Sequence, residues 1–514
     1  MKKEKRTLTL NEWIWLILGS AVILGSIVRL LPGVLAGFPL NDGGMFLSMV
    51  KDLQTSHYVL PKFTTYNYLN IPFAYPPFGF YFARAVSDIL SIPELALFRW
   101  VPVLVNSFSI FVFYLLASEI AKSKLAGAIS SVLYALTPGA FGWFIMGGGL
   151  TRSFGSLFLL LTVYSTLKLF REDEKKYIGL SILFGGLTVT SHPEAGIHAA
   201  IGCVLVWVFF GRTNKSLLQA IAIGLGVFLF ISPWLASVLH YHSVTPILSA
   251  LHTGSSGNNF IGSIYDLLFD EGIIPILFLF RITGLIWGVS KKHYFLLVWS
   301  FLPYLVEPRS APSVSFYPMT ILTALAFIEA LPWLLGGIKK QEFQNLHQNV
   351  IFNIFLLTVI SLLFIDSCLY GFRLVGNSLK PNDLETMYWV KENLPENSVF
   401  MVLTGIPSPE IDPYVEWFPA LAERQNISTL QGYEWLLADK FYNFYTELSK
   451  LQQCRSVDCI EKWNTTNSQR YDYVVIFRTE AVEIDELLLK NSSYEKVYSN
   501  SNALIVKYDE SSTK

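Results

Sequence analysis

Asp42 is the first residue in this chain whose type and setting point to chemistry. It stands in Asn41-Asp42-Gly43-Gly44, a few residues beyond a long apolar run, and the two glycines allow close backbone approach. The same residue types also serve structure, since Asp before a helix is a common N-cap and Asp-Gly a common turn. A second group is Gly147-Gly148-Gly149-Leu150-Thr151-Arg152, which puts a cation at the head of another apolar run. Arg152 and the amides near it can recognise a phosphate. Equally, the glycines can permit tight helix contact while Arg152 reaches to the membrane surface. Ser191-His192-Pro193-Glu194 offers an imidazole for a metal or a phosphate, or a satisfied helix end. Glu307-Pro308-Arg309 supplies an acid and a further cation, and Tyr75 and Arg84 complete the candidates for substrate and phosphate binding. His240 and His242 form a His-x-His pair, with His252 beyond, a spacing that can chelate metal but is weak evidence alone.

The elements that position these residues are membrane spans. Of 514 residues, 52% are hydrophobic and only 15% charged, where a soluble chain carries about a quarter. The net charge of −1 gives no sign of a nucleic-acid partner. Apolar runs predict about eleven helices across a core of about 30 Å. They fall at Glu12–Ala36, Phe98–Ile120, Leu125–Phe141, Ser153–Phe170, Tyr177–Thr190 and Ile197–Gly211. The rest are Leu217–Leu239, Glu271–Ser290, Tyr294–Leu305, Tyr317–Leu335 and Val350–Tyr370. Lys2, Lys3, Lys5 and Arg6 set the N-terminus in the cytoplasm. Each inner loop is then basic: Lys122 and Lys124; Lys168, Arg171, Lys175 and Lys176; Arg212 and Lys215; Lys291 and Lys292; Lys339 and Lys340. An odd number of spans puts the C-terminus outside, and the long first run, lacking a small-residue cleavage site, reads as a retained helix. Inside the spans, Asn106, Arg281 and Glu329 are rare polar groups, and a charge there calls for a partner or a cavity.

The chain thus divides into a membrane domain, 1–375, and a soluble extracytoplasmic α/β domain, 376–514. The first external loop, 37–97, is far longer than a connector needs. Its amphipathic stretches Met45–Leu53 and Phe78–Leu90, the latter bearing Arg84 and Asp88, suit a segment lying in the interface. In the soluble domain, Asn382-Asp383 can cap a helix carrying Leu384, Met387, Val390 and Leu394. Strands are expected at Val399–Leu403, Tyr473–Phe477 and Ala503–Tyr508, a helix at Glu434–Leu451, and a hairpin turn at Ser499–Asn502. Cys203 and Cys368 fall in spans as buried thiols, whereas an oxidising compartment permits a disulfide between Cys454 and Cys459. Sequons begin at Asn426, Asn464 and Asn491.

Most candidate acids, histidines and phosphate-binding cations therefore lie at helix ends on one side of the membrane. That distribution suits chemistry on a lipid-borne substrate. Transporters gather such groups near the midplane and carry internal repeats, and no convincing repeat is present here.

Asn41–Leu47, Ala74-Tyr75-Pro76-Pro77, Gly147–Arg152 and Thr190-Ser191-His192-Pro193 resemble the GT-C class of integral-membrane glycosyltransferases. Leu384–Leu394, Trp417-Phe418-Pro419-Ala420 and Gly432-Tyr433-Glu434-Trp435 look like the external domain of uncharacterised bacterial and archaeal members. The resemblance implies an inverting transferase with a polyprenyl-phosphate-linked sugar as donor and a lipid, glycan or protein as acceptor. It implies a loop carboxylate, here Asp42, as general base, with Arg152 and Arg309 offsetting charge on the leaving phosphate. Many members carry two adjacent acids where this chain has Asn41-Asp42; a divalent metal, if used, would fall to Asp42 and His192. The alternatives are a flippase or exporter of a lipid-linked or polysaccharide intermediate, relying on Arg281 and Glu329, and a non-catalytic membrane scaffold.

Overall fold

The computed structural model describes residues 8–252, 276–334, 346–479 and 482–509. Lipid offers a backbone no hydrogen-bond partner but itself, so the apolar runs become helices. The first is α1 (Leu10–Ala36), opened by a capping box between Thr9 and Glu12 and closed by Gly37 in the left-handed region. The first loop then folds as α2 (Gly44–Thr55), an antiparallel ribbon of β1 (Phe63–Thr64) and β2 (Ile71–Pro72), and α3 (Phe78–Leu90). There follow α4 (Glu94–Ala121), α5 (Lys124–Ala135), α6 (Gly149–Glu172), α7 (Lys176–Ser191), α8 (Pro193–Val206) and α9 (Asn214–His242). Next come α10 (Thr245–His252), α11 (Ile276–Ser290), α12 (Tyr294–Val306), α13 (Ala311–Leu334) and α14 (Val350–Val375).

Among the described residues, seven helices are long and apolar enough to cross a membrane, and three shorter apolar helices accompany them. The protein is a multi-pass membrane protein, and each expected span has a helix at its position. Most boundaries shift by a few residues, and two shift farthest. The run expected to reach Phe141 stops at Ala135, because Pro138 opens a 3-10 turn. The helix expected from Tyr317 begins at Ala311, and its expected end at Leu335 lies outside the described residues, as does the stretch expected from Glu271 up to residue 275.

Beyond α14 the chain forms a small α/β domain. Its sheet runs β4-β3-β5-β7-β6, from β3 (Val399–Leu403), β4 (Gln425–Asn426), β5 (Tyr473–Phe477), β6 (Tyr494–Ser499) and β7 (Ala503–Tyr508). β3 pairs in parallel with β4 and β5, while β7 is antiparallel to β5 and β6 across the turn at Ser499–Asn502. Alternate side chains serve two cores. Phe400, Val402, Val475 and Ile505 pack with the first loop, and Met401, Leu403, Val474 and Val506 pack under α17 (Phe441–Gln452), α18 (Val457–Asn467) and α19 (Val482–Lys490). With both faces buried, the strands read as continuous apolar runs.

Local detail corrects several expectations. α15 (Pro381–Asn393) starts at Pro381, with Asp383 in its first turn accepting the Lys380 amide at 2.8 Å. The helix expected from Glu434 is two 3-10 turns followed by α17. α2 does not lie in a lipid interface: Met45, Leu47, Met49, Val50 and Leu53 are buried against α16 (Pro413–Leu421) and α3. Cys454 and Cys459 are joined by a disulfide. The Asn426 sequon is closed, its amide buried and donating to the Val415 carbonyl at 2.9 Å.

The membrane bundle has one charged junction that sequence reading passed over. Arg29, fully buried on α1, donates from Nε to Asn106 Oδ1 at 2.6 Å and from Nη1 to the carbonyls of Gly25 at 2.9 Å and Ala135 at 2.6 Å. Phe141 lies under the guanidinium at 5.0 Å. The junction ties α1, α4 and α5 together where a lone charge would be expelled. Asn106→Leu leaves Nε without its acceptor, and thermal unfolding in detergent should show a loss of roughly 2–4 kcal/mol. Arg29→Met combined with Asn106→Leu should cost less than the two single changes summed; strict additivity would contradict the pairing.

Candidate functional site

After Gly37 the chain turns across the end of the bundle as an irregular segment, residues 38–43, with Asn41 at φ 50 in the left-handed region, held on every side. Asn41 N–H donates to the Asn377 carbonyl at 2.6 Å, and Trp417 Nε1 donates to the Asn41 carbonyl at 2.7 Å. Gly147 N–H reaches the Leu40 carbonyl at 2.9 Å. The start of α2 is capped from α16: Glu416 accepts the amides of Gly43 at 3.2 Å, Gly44 at 3.0 Å and Met45 at 3.3 Å. Glu416 therefore performs the capping that sequence allowed for Asp42. The Asp42 side chain points the other way, toward α6.

There Asp42 Oδ1 accepts the Gly148 amide at 3.1 Å, and Arg152 Nη2 contacts Oδ1 at 2.9 Å and Oδ2 at 2.8 Å. Arg152 sits one turn into α6, its guanidinium 5.3 Å from the Trp143 ring centre. The glycines are a steric requirement. A Cβ on Gly148 would lie 2.4 Å from Asp42 Oδ2 and 2.7 Å from Arg152 Nη2, and one on Gly147 would lie 1.9 Å from the Asp42 carbonyl oxygen.

His192 stands at the junction of α7 and α8, where Nδ1 accepts the Ala195 amide at 3.4 Å. Burial, then the charges of Arg152 and Arg309, lower its pKa to about 3. The imidazole is thus neutral, and with Nδ1 accepting it carries its proton on Nε2. Tyr75 packs its ring 6.3 Å from His192 and 6.1 Å from Trp435, with its hydroxyl 3.2 Å from Thr151 Oγ1. Burial raises its pKa, while Arg152, Glu194 and Arg309 all act on it electrostatically.

Glu194, in the first turn of α8, lies 3.5 Å from Arg309 Nε. Glu307 accepts from His198 Nε2 and from the Ser310 amide, each at 3.0 Å. Burial alone would raise it, but the His198 and Ser310 donors prevail and hold it down to about 2. Glu434, from the C-terminal domain, also acts electrostatically on Arg309.

The structure thus gathers Asp42, Arg152, Tyr75, His192, Glu194, Glu307 and Arg309 at one end of the bundle. Arg84 is not among them. It is buried in the first loop, bonded to Asp88, to Glu94 at 2.6 Å and to Gln54 at 3.2 Å, and its work there is to fasten α3 to α2 and α4. His242 bonds the Lys62 carbonyl at 2.6 Å. In the bundle, Trp287 Nε1 donates to Glu329 at 2.9 Å, and Arg281 lies over the Phe316 ring at 5.0 Å. Sequence reasoning missed His198, Trp143 and Glu416; for His198 a signal existed, since Glu194 and His198 share a helix face at i,i+4.

Among the described residues, no three His, Cys, Asp or Glu side chains gather as a metal site. Asp42, the residue best placed for a divalent ion, has both oxygens on a guanidinium, so its surroundings do not fit a resident metal. A cavity of about 470 Å³ runs between α6, α7, α8 and α9, and none of the clustered residues lines it. It passes from Val189 and Gly196, near His192, to Phe170, Trp207 and Leu217 at the far end, and its walls are almost wholly apolar.

Residues 74–236 match a family model described as dolichyl-phosphate-mannose-protein mannosyltransferase. No curated protein matches the chain at a significant level. Among solved structures it is similar to the archaeal oligosaccharyltransferase AglB from Archaeoglobus fulgidus, in complex with an inhibitory peptide and a dolichol-phosphate. The TM-score there is 0.55 at 14% identity, over 98% of this chain and 75% of that one. It is similar to ArnT from Cupriavidus metallidurans bound to undecaprenyl phosphate, with a TM-score of 0.52 at 15% identity, over 97% of this chain and 98% of that one. It is similar also to the arabinofuranosyltransferase AftD from Mycobacteria, with a TM-score of 0.54 at 13% identity, over 98% of this chain and 40% of that one. The chain has the fold of the GT-C membrane glycosyltransferases.

The cap on α2 has a measurable signature. Burial and the nearby Asp42 carboxylate push Glu416 up to about 8, against 4.5 for an exposed glutamate. Between those values the folded protein keeps a proton that the unfolded chain has released, so this group makes stability fall as pH rises through that window and level off above it. Asp412, raised by burial to about 6, acts the same way lower down. In Glu416→Gln, thermal midpoints between pH 6.5 and 8 should fall less steeply than in the wild type; an unchanged slope would contradict a protonated, buried Glu416.

Proposed function

We propose that this protein is a glycosyltransferase that moves a sugar from a polyprenyl-phosphate carrier to an acceptor, with inversion at the anomeric carbon and Asp42 as general base. The observation that carries the reading is the single cluster made by one loop carboxylate, Asp42, with two arginines, Arg152 and Arg309, and a neutral histidine, His192. An apolar cavity of about 470 Å³ between α6, α7, α8 and α9, lined in part by Val189 and Gly196 on either side of His192 in sequence, supports a substrate that is half phosphate and half lipid chain. The match of residues 74–236 to a dolichyl-phosphate-mannose-dependent family model supports the same donor class. So do AglB and ArnT, whose structures hold dolichol-phosphate and undecaprenyl phosphate.

In the reaction, the acceptor oxygen attacks the anomeric carbon as its proton passes to an Asp42 oxygen. The bond from that carbon to the phosphate oxygen breaks, and its electron pair leaves with polyprenyl phosphate. Arg152 and Arg309 offset the charge developing there, and His192 donates from Nε2 without adding a competing positive charge. In the structure both Asp42 oxygens are held by Arg152. A donor phosphate competes for that guanidinium, and taking it frees the carboxylate to accept a proton. No step is assigned to a metal. The basic loops at the opposite end of the bundle support a cytoplasmic N-terminus and a site on the extracytoplasmic face. Glu329 and Arg281, which a transporter would need, are engaged within the bundle, which favours the enzyme reading.

The test uses purified protein in vesicles and a panel of polyprenyl-phosphate-linked sugars, with release of polyprenyl phosphate as the readout. Asp42→Asn should reduce turnover by about 10²–10⁴-fold while insertion and melting behaviour are kept. Near-normal turnover by a folded Asp42→Asn protein would overturn the assignment. Arg309→Gln should weaken binding of undecaprenyl phosphate by about tenfold or more, because one charge-assisted contact is lost.

A further inference from the structure

We infer that Glu416 and Trp417 are positioning residues for Asp42, so that the C-terminal domain is a working part of the site. This inference rests on the reading of Asp42 as the base. Both residues lie on α16, and together they hold the backbone on the two sides of Asp42. Before it, Trp417 Nε1 bonds the Asn41 carbonyl at 2.7 Å. After it, the Glu416 carboxyl group collects the three amides of Gly43, Gly44 and Met45. The contact leaves no slack. A Cβ on Gly43 would lie 2.8 Å from the Trp417 ring, and one on Gly44 would lie 2.7 Å from the Glu416 carbonyl oxygen. Gly43 adopts φ 137, a conformation other residues rarely take. On the opposite face, Gly147 and Gly148 press against the carbonyl and carboxylate of Asp42. Asp42 is therefore clamped between α6 and α16, and only its side chain reaches Arg152.

The clamp is itself anchored. Tyr66 Oη, from the first loop, donates to the Glu416 carbonyl at 2.7 Å, and Trp417 is fully buried with its ring 4.9 Å from Phe38. A buried carboxyl group meeting three amides is more than packing requires of α16, whose other buried residues are apolar apart from the caps. The same domain also supplies Trp435 against Tyr75 on the far side of the cluster.

Four variants of the full chain test this: Glu416→Gln, Glu416→Ala, Trp417→Phe and, as control, Asp42→Asn. Glu416→Gln keeps shape but puts an NH2 group, which cannot accept a backbone amide, in place of one of the two carboxyl oxygens that do; Trp417→Phe keeps a ring but deletes the Nε1 donor. In folded protein each should lower kcat for polyprenyl phosphate release by about 10–100-fold, the scale of a misplacement near 1 Å. The affinity for undecaprenyl phosphate, set by the arginines, should change by less than about threefold. Hydrogen exchange of peptides covering 41–47 should quicken in Glu416→Ala. A merely structural role predicts turnover that falls only with the folded fraction, and that result, or wild-type kcat in both conservative variants, would overturn the inference. If instead Asp42→Asn keeps its activity, the base assignment fails, while faster exchange in Glu416→Ala would still report the clamp.

Discussion

A bilayer interior tolerates few unpaired polar groups, and that constraint decides where this protein can keep reactive ones. Inside the bundle, Arg29 is held by Asn106 and two carbonyls and Glu329 by Trp287. The groups with room to change partners are at the helix ends, where Asp42, Arg152, His192, Glu194 and Arg309 converge. Every other feature of the site follows from having to hold those groups still at the edge of lipid. α6 and α8 present Arg152 and Glu194 from their first turns, and the first loop and the C-terminal domain close over them.

Two ion pairs with different surroundings divide the work. Asp42 and Arg152 meet at 2.8 Å, each about one-fifth exposed, so solvent and an entering anion can both reach them. Glu194 and Arg309 stand farther apart at 3.5 Å, with the arginine more than half exposed. Glu307, bonded to His198, to Ser310 and to the Arg309 amide, fixes the loop that carries Arg309. The arrangement is a set of cations paired with acids at one end of the bundle.

How much of this was legible in the sequence depended on the range of each interaction. The spans were legible because lipid demands an apolar run of about 20 residues for each one. Asp42, Arg152, Tyr75, His192, Glu194 and Arg309 stood out because a polar residue at the end of such a run is conspicuous. Arg84 looked equally available, yet Asp88 four residues on was already its partner, and a helical i,i+4 pair was the better reading. Glu416 was invisible. A glutamate in a soluble domain looks like surface, and its amides lie some 370 residues earlier in the chain. The same blindness applied to α2, whose amphipathic pattern fits an interface as well as a core. Only the position of α16 decided between them.

That last contact changes how the C-terminal domain is to be understood. A domain that merely sat on the membrane part would leave a hydrated seam, with each surface complete in itself. Here neither surface is. The first loop cannot cap α2 without Glu416, and one face of the sheet shares its core with Met45, Leu47 and Phe80 of that loop. Removing the domain would expose three amides and a broad apolar face beside Asp42, so a free-standing membrane domain would lose the geometry around Asp42 while keeping the side chains of the cluster. The glycines of Gly43-Gly44 and Gly147-Gly148 mark the same dependence from the other side, since each is small because a specific neighbour occupies the space of its side chain. Fold and site are in this sense one structure, and the irregular segment around Asp42 is where the membrane part and the C-terminal domain are joined.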